Sequence, residues 1–270
     1  MTAPNFFVYL PGGIQRDDAK IRAVAQATGQ GLYEAKVMLG APGPRKVGAF
    51  GTEAEAQAQA LQLRQAKLNA FVIEKLRYSR PPKVFKALKA VEQPDGLLFT
   101  IETAPAAGEV TAQIFDLPQP RGLVQAVILG CYAETKTRQE LAGSKFSVSS
   151  SSKSEVREPF VHLYSEDPHT VLEVRGPKFE WAGLKSLQGI FGDPRWLKMA
   201  ELFAEYYKAR LDTTLFKFPD EVNAITAALN VDAAHGMSGT GVRGGTSSSD
   251  NTPLAIAASR IIVYSLVFGL

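Results

Sequence analysis

Over residues 6 to 76 the apolar positions switch repeatedly between the two-residue period of a strand and the 3.6-residue period of a helix. The run "FFVYLP" is a strand, and Pro11, Gly12 and Gly13 break the chain behind it. Ala19, Ile21, Ala23, Val24 and Ala27 then recur at helical spacing after Asp17 and Asp18, whose charge suits a helix start; Gly29 and Gly31 end that helix. A second helix carries "LYEAKVML" and stops at Gly40 and Pro42, and "KVGAFG" is a short strand. Thr52 and Glu55 form a capping box that opens a helix over 53 to 67, and "AFVIEKL" closes the sheet as a last strand. The pattern predicts a small α/β module over residues 1–76.

The alternation then stops. Pro81 and Pro82 sit among Lys75, Arg77, Arg80, Lys83, Lys86 and Lys89, which predicts a basic linker over 77–95. A solvated linker is the plainer reading of that series than a phosphate- or lipid-binding strip, because no aromatic interleaving accompanies it. From Gly96 to Phe218 the signal is β: "GLLFTIET", "GLVQAVILGCYAE", "PFVHLYSE", "TVLEVRG" and "TTLFKF" are β-branched or aromatic runs bounded by Pro, Gly and Asp. Phe160–Glu166 and Thr170–Arg175 form a hairpin around "DPH", and the serine-rich stretch 135–158 reads as a mobile loop. Asp193 and Pro194 open an amphipathic helix as N-cap and first residue, with Trp196, Ala200, Phe203 and Tyr207 along one face. Those aromatic residues are core by spacing rather than a binding surface. Residues 96–232 thus form a β-rich domain with a late helix, followed by a Gly/Ser tether over 233–252 and an apolar segment over 253–270. Strands capped by one late helix are similar to bacterial pleckstrin-homology-like modules in element order.

Composition adds two constraints. With 270 residues, 45% hydrophobic and 21% charged, the chain can bury the cores of two modest domains, which excludes wholesale disorder. Cys131 is the sole cysteine and no basic-then-apolar leader opens the chain, so a cytoplasmic protein without an internal disulfide is expected. Residues 1–92 hold 14 Lys/Arg against 7 Asp/Glu, whereas residues 93–270 hold 16 against 20. A basic module is joined to a mildly acidic one, which suits either an anionic partner or docking of the two on each other.

"IRAVAQATGQGLYEAKVMLGAPGPRKVG" followed by "EAEAQAQALQLRQAKLNAFVIEK" resembles the C-terminal domain of the ribosomal large-subunit stalk protein. The family motif falls here on Thr28, Gly29, Gly31, Leu32, Glu34, Ala35 and Lys36, with Ala41 and Pro42 after it. The resemblance covers residues 6 to 76 and implies a fold shared with the Clp-protease adaptor, so it implies a scaffold more than one partner. In the stalk family the first helix and the start of the second present a basic and apolar face to translation factors. Ile21, Arg22 and Lys36 keep that character; Asp17, Asp18 and Ala25 depart from it, which argues against the ribosomal partner.

Little else carries chemistry. Gly239, Gly241 and Gly244 fit a dinucleotide-binding spacing, yet serines follow where that motif needs a helix, so the tether reading is preferred. His162, Glu166, Asp167 and His169 lie within one hairpin, but Asp-Pro is ordinary turn chemistry and no cysteine supports a closed metal site. His235 stands alone, Cys131 lies in an apolar strand, and no G-x-S-x-G elbow exists for a serine nucleophile. Leu254–Leu270 is at the lower length limit for crossing a bilayer and has Arg260 near its middle, which favours a helix docked on protein.

The sequence therefore predicts an α+β protein: a small stalk-like α/β domain, a β-rich domain capped by an amphipathic helix, and a C-terminal apolar helix. The expected role is that of a non-enzymatic adaptor that recognises a protein partner through Ile21, Arg22, Ala25, Tyr33 and Lys36. No cofactor, metal or nucleic acid is expected. The alternatives are a membrane-associated factor held by Leu254–Leu270 and the basic linker, and an enzyme with an unrecognised site in the β-rich domain.

Overall fold

The computed structural model describes residues 4–79, 81–93, 96–102, 124–140, 150–165, 169–176, 178–227, 246–250 and 252–268. The first elements are β1 (Phe6–Leu10), α1 (Asp18–Thr28), α2 (Leu32–Leu39), β2 (Arg45–Phe50), α3 (Glu53–Gln65) and β3 (Phe71–Glu74). They follow the order read from the hydrophobic pattern. Asp17 caps α1 by accepting from the Lys20 amide, at 2.8 Å. Thr52 and Glu55 exchange the two bonds of a capping box at the start of α3. The three strands form an antiparallel sheet in the order β2-β1-β3. Alternation along β1 sends Val8 and Leu10 to a core shared with α1, α2 and α3, and sends Phe7 and Tyr9 to the opposite face.

The chain continues through α4 (Lys75–Ser79), β4 (Lys83–Gln93), β5 (Gly96–Glu102), β6 (Ala126–Glu140), β7 (Ser150–Tyr164) and β8 (Thr170–Arg175). After two short 3-10 turns come α5 (Asp193–Tyr207), β9 (Arg210–Asp212), α6 (Thr214–Lys217), α7 (Glu221–Thr226), β10 (Thr246–Asp250) and α8 (Thr252–Phe268). A seven-stranded sheet runs β10-β6-β7-β8-β4-β5, with β9 beside β6. The sheet is mixed, since β4 lies parallel to β8 and β9 parallel to β6. A helix covers each face, the amphipathic α5 on one and the apolar α8 on the other.

Four expectations are corrected. The basic stretch 77–95, read as a linker, contains β4; a register shift between Ala87 and Lys89 breaks its alternation. Its lysines keep their ammonium groups outward, Lys83 over the Phe85 ring at 4.6 Å and Lys89 against Glu180 at 3.8 Å. The polar stretch 135–158 is largely strand: β6 and β7 stay in register from Ala126↔Tyr164 to Glu140↔Ser150, because ladder bonds use the backbone and need no apolar side chains. Thr246–Asp250, assigned to the tether, pairs with β6, while residues 228–245 with His235 and the three spaced glycines lie outside the described residues. The run "TTLFKF" folds as the helical turn α6, because Asp212 accepts from the Thr214 amide at 2.7 Å and Pro219 follows. The late helix also begins one residue earlier than the sequence reading placed it: Gly192 is its N-cap and Asp193 its first residue.

α8 unites the molecule. It is buried almost all round, as an apolar helix should be. Ala255, Ala258, Ile261 and Ile262 share one core with Phe7, Tyr9, Phe71 and Ile73 of the small sheet and with Ile128, Phe160 and Val171 of the large one. Tyr264 packs on the rings of Phe71 and Tyr78, at 5.7 and 5.8 Å. The layers thus run from α1, α2 and α3 through the small sheet, α8 and the large sheet to α5. No helix among the described residues is long and apolar enough to cross a membrane.

Candidate functional site

The face of the large sheet beneath α8 is built by period-two alternation. Tyr132 on β6, Phe160, His162 and Tyr164 on β7, and Val171 and Glu173 on β8 point one way, while Val161, Leu163, Leu172 and Val174 point to α5. His162 and Glu173 are direct cross-strand partners. Their side chains meet, with His162 Nε2 at 3.2 Å from Glu173 Oε2. The Tyr132 hydroxyl donates to the same carboxylate oxygen and lies 3.0 Å from His162 Nε2. From above, α8 lowers Ser259, whose Oγ is 3.0 Å from His162 Nδ1 and 2.5 Å from the Tyr164 hydroxyl. Phe160 stacks on the imidazole at 4.1 Å.

One proton arrangement satisfies the network. With His162 neutral, Nε2–H donates to Glu173 and Nδ1 accepts from Ser259, whose oxygen in turn accepts from Tyr164. The Ile256 carbonyl, 2.9 Å from Ser259 Oγ one turn earlier, competes for that hydroxyl proton. Burial holds the imidazole below its usual range. For Glu173, burial alone would raise the carboxyl, but the bonds from His162 and Tyr132 outweigh it and hold it below the usual carboxylate range. Burial and the neighbouring Glu173 charge push the Tyr132 phenol well up. Arg175 stacks over the Tyr132 ring at 4.3 Å and binds Glu158 at 2.8 Å.

Ser259, His162 and Glu173 thus have the connectivity of a hydrolytic triad, but all three are buried beneath α8. No substrate reaches Ser259 Oγ with that helix in place. The network instead holds α8 on the sheet. Beside it Arg260, also buried, donates to the Tyr78 carbonyl at 3.1 Å and lies 2.9 Å from His169 Nδ1. The charge that interrupts the apolar segment is therefore an anchor. The hairpin residues considered as metal ligands are dispersed: His162 faces Glu173, His169 faces Arg260, and Glu166 and Asp167 lie outside the described residues. Among the described residues no three potential ligands gather for a metal. Cys131 is buried, and that burial pushes its thiol up to about 11.

The accessible candidate lies at the other end of the molecule. α2 buries Ala35 and Leu39 and leaves Leu32, Tyr33 and Val37 exposed at 58, 75 and 54%. Beside them opens a groove of about 820 Å³ whose walls include Arg16, Tyr33, Lys36, Val37, Pro42 and Arg45. The Arg16 guanidinium lies over Gly40, where any Cβ would overlap it, at the helix end that favours a cation. Arg45 is held by Glu221 at 2.6 Å, and the Glu34 carboxylate folds back over Gly31. Of the predicted recognition residues, Tyr33 and Lys36 line this groove and Arg22 is exposed on α1 outside it. Ile21 and Ala25 are half-buried and pack on the module's own core, because α1 needs that stripe to cover the small sheet. Val37 and Arg16 were not singled out in the sequence, and Leu32 entered only as a residue of the family motif; the successive apolar residues Leu32 and Tyr33 at the start of an eight-residue helix were the signal that they cannot both reach the core.

Searches for related proteins add nothing to this geometry: no family model, curated protein or solved structure matches the chain.

Proposed function

We propose that the protein is a non-enzymatic adaptor whose α2 groove docks an acidic, apolar segment of a partner protein. The carrying observation is the group of three large apolar side chains, Leu32, Tyr33 and Val37, left in solvent on one short helix beside Arg16 and Lys36. Exposed apolar clusters rimmed by charge are features of interaction sites, and the basic rim selects an acidic partner. The resemblance of residues 6 to 76 to stalk-type recognition domains points the same way, while Asp17 and Asp18 argue for a partner other than a translation factor. The burial of Ser259, His162 and Glu173 favours binding over catalysis, and the burial of α8 weighs against its use as a membrane anchor.

Selection from a displayed random-peptide library tests this reading. The wild-type protein should enrich peptides that combine aspartate or glutamate with aromatic or aliphatic anchors. The Tyr33→Ser, Lys36→Glu double variant should bind those peptides about tenfold or more weakly, the scale of losing one buried anchor and one charge pair. Equal enrichment on both proteins, or a basic consensus, would defeat the proposal.

A further inference from the structure

A second concavity lies on the far side of the large sheet, where the start of α5 meets β7. It has a volume of about 540 Å³, within the size range of small-molecule sites, and its walls include Arg157, Glu158, Trp181, Gly192, Arg195 and Trp196. Arg195 is its central feature. The guanidinium is stacked over the Trp181 ring at 4.9 Å and over the Phe191 ring at 4.7 Å. Its Nε donates to the Ile190 carbonyl. Three contacts therefore fix the plane of the group, while its two terminal amino groups have no protein partner among the described residues. A guanidinium held flat with its fork open is preorganised for a planar bidentate acceptor.

The surroundings narrow the ligand. Glu158 is matched by Arg175. Gly192 supplies the bend before the helix at φ 63°, a conformation that L side chains resist, and no side chain caps the helix there by a hydrogen bond. The remaining wall is flat and apolar: Trp196 meets Trp181 edge-on at 5.0 Å, with Pro159 beside them.

We propose that this pocket binds a small monocarboxylate with a flat apolar body, its carboxylate on the Arg195 fork and its body against Trp196 and Pro159. Trp181 and Trp196 are the only two tryptophans of the chain, so intrinsic tryptophan fluorescence reports on this pocket alone. Titration of the intact protein with benzoate should give a saturable change at about millimolar concentration, the range expected of so small a ligand. Acetate and inorganic phosphate should bind at least tenfold more weakly. Arg195→Gln should weaken benzoate about tenfold or more, and Arg195→Lys should fall between that variant and wild type because it keeps the charge without the fork. Circular dichroism confirms that each variant is folded. The proposal is overturned by the absence of a saturable benzoate response, by equal benzoate affinity in Arg195→Gln, or by phosphate or acetate binding as well as benzoate. A Lys variant indistinguishable from wild type overturns the bidentate assignment.

Discussion

On one face of the seven-stranded sheet α5 lays Trp196, Met199, Phe203 and Tyr207 against strands that offer apolar side chains throughout. On the other face α8, the more apolar of the two helices in sequence, covers Tyr132, His162, Tyr164 and Glu173. The amphipathic helix has the dry face and the apolar helix the polar one. A helix's composition therefore reports how completely it is buried rather than what lies opposite it. α5 needs a polar back because solvent reaches it, whereas α8 is enclosed by two sheets and reserves Ser259 and Arg260 for bonds that fix its position. The two faces should accordingly respond to mutation by different mechanisms: loss of volume on the α5 side, loss of hydrogen-bond partners on the α8 side.

The largest effect should come from the dry face. Phe203 is fully buried and meets Phe99 edge-on at 5.6 Å. Phe203→Ala should lower unfolding stability by about 3–5 kcal/mol, because the removed ring leaves a cavity that a sheet and a helix cannot close. Denaturant unfolding measures it, and a loss below about 1 kcal/mol would show that α5 is not packed as described.

On the polar face the informative quantity is a difference between variants. Glu173→Leu strips the acceptor from both Tyr132 and His162 and should cost roughly 1–3 kcal/mol for the orphaned donors. Adding Tyr132→Phe and His162→Phe removes those donors, so the triple variant should be no less stable than Glu173→Leu alone. Additive losses across the three would mean that packing, as on the α5 side, governs this face too.

This contrast marks how far the sequence could be read. The small module was legible because its signals are local: the Thr52 and Glu55 box, the Gly29 and Gly40 stops, and the switch between periods two and 3.6 all act within a few residues. The β7–β8 hairpin and the inward docking of the last helix were legible for the same reason, the second through Arg260 interrupting an apolar run. β4 was hidden by its bulge and lysines, and the β6–β7 extension by serines that hold their places through backbone bonds. The polar network could not be read at all. His162 and Ser259 are 97 residues apart, and period-two alternation says that His162 faces a different layer from Val161 without saying what that layer holds. The α2 groove was half legible: Tyr33 and Lys36 lie on it, but Ile21 and Ala25 were assigned outward when the small sheet required them inward.

The smallest effect, and the one that isolates the polar face, depends on pH. His162 is buried and its folded pKa lies below its unfolded value of about 6.5, so below that pH the unfolded chain binds the proton more readily than the folded one. The contribution is complete above pH about 6.5 and is lost progressively as pH falls towards the folded pKa. Glu173, also held low in the folded state, contributes above its unfolded value of about 4.3 and loses that contribution further down, so both act in the same direction at separate pH ranges. Between pH 7 and 5, wild-type stability should therefore fall by up to about 1.4 kcal/mol per pH unit more steeply than that of His162→Gln, which has no proton to gain. Phe203→Ala, by contrast, should shift the whole curve down and leave this slope intact, since its neighbours in the α5 core are apolar apart from tyrosines, and burial pushes the Tyr207 phenol further above this pH range. Parallel curves for wild type and His162→Gln would show that the imidazole keeps its ordinary affinity for protons, and with it that α8 does not seal this face of the sheet from water.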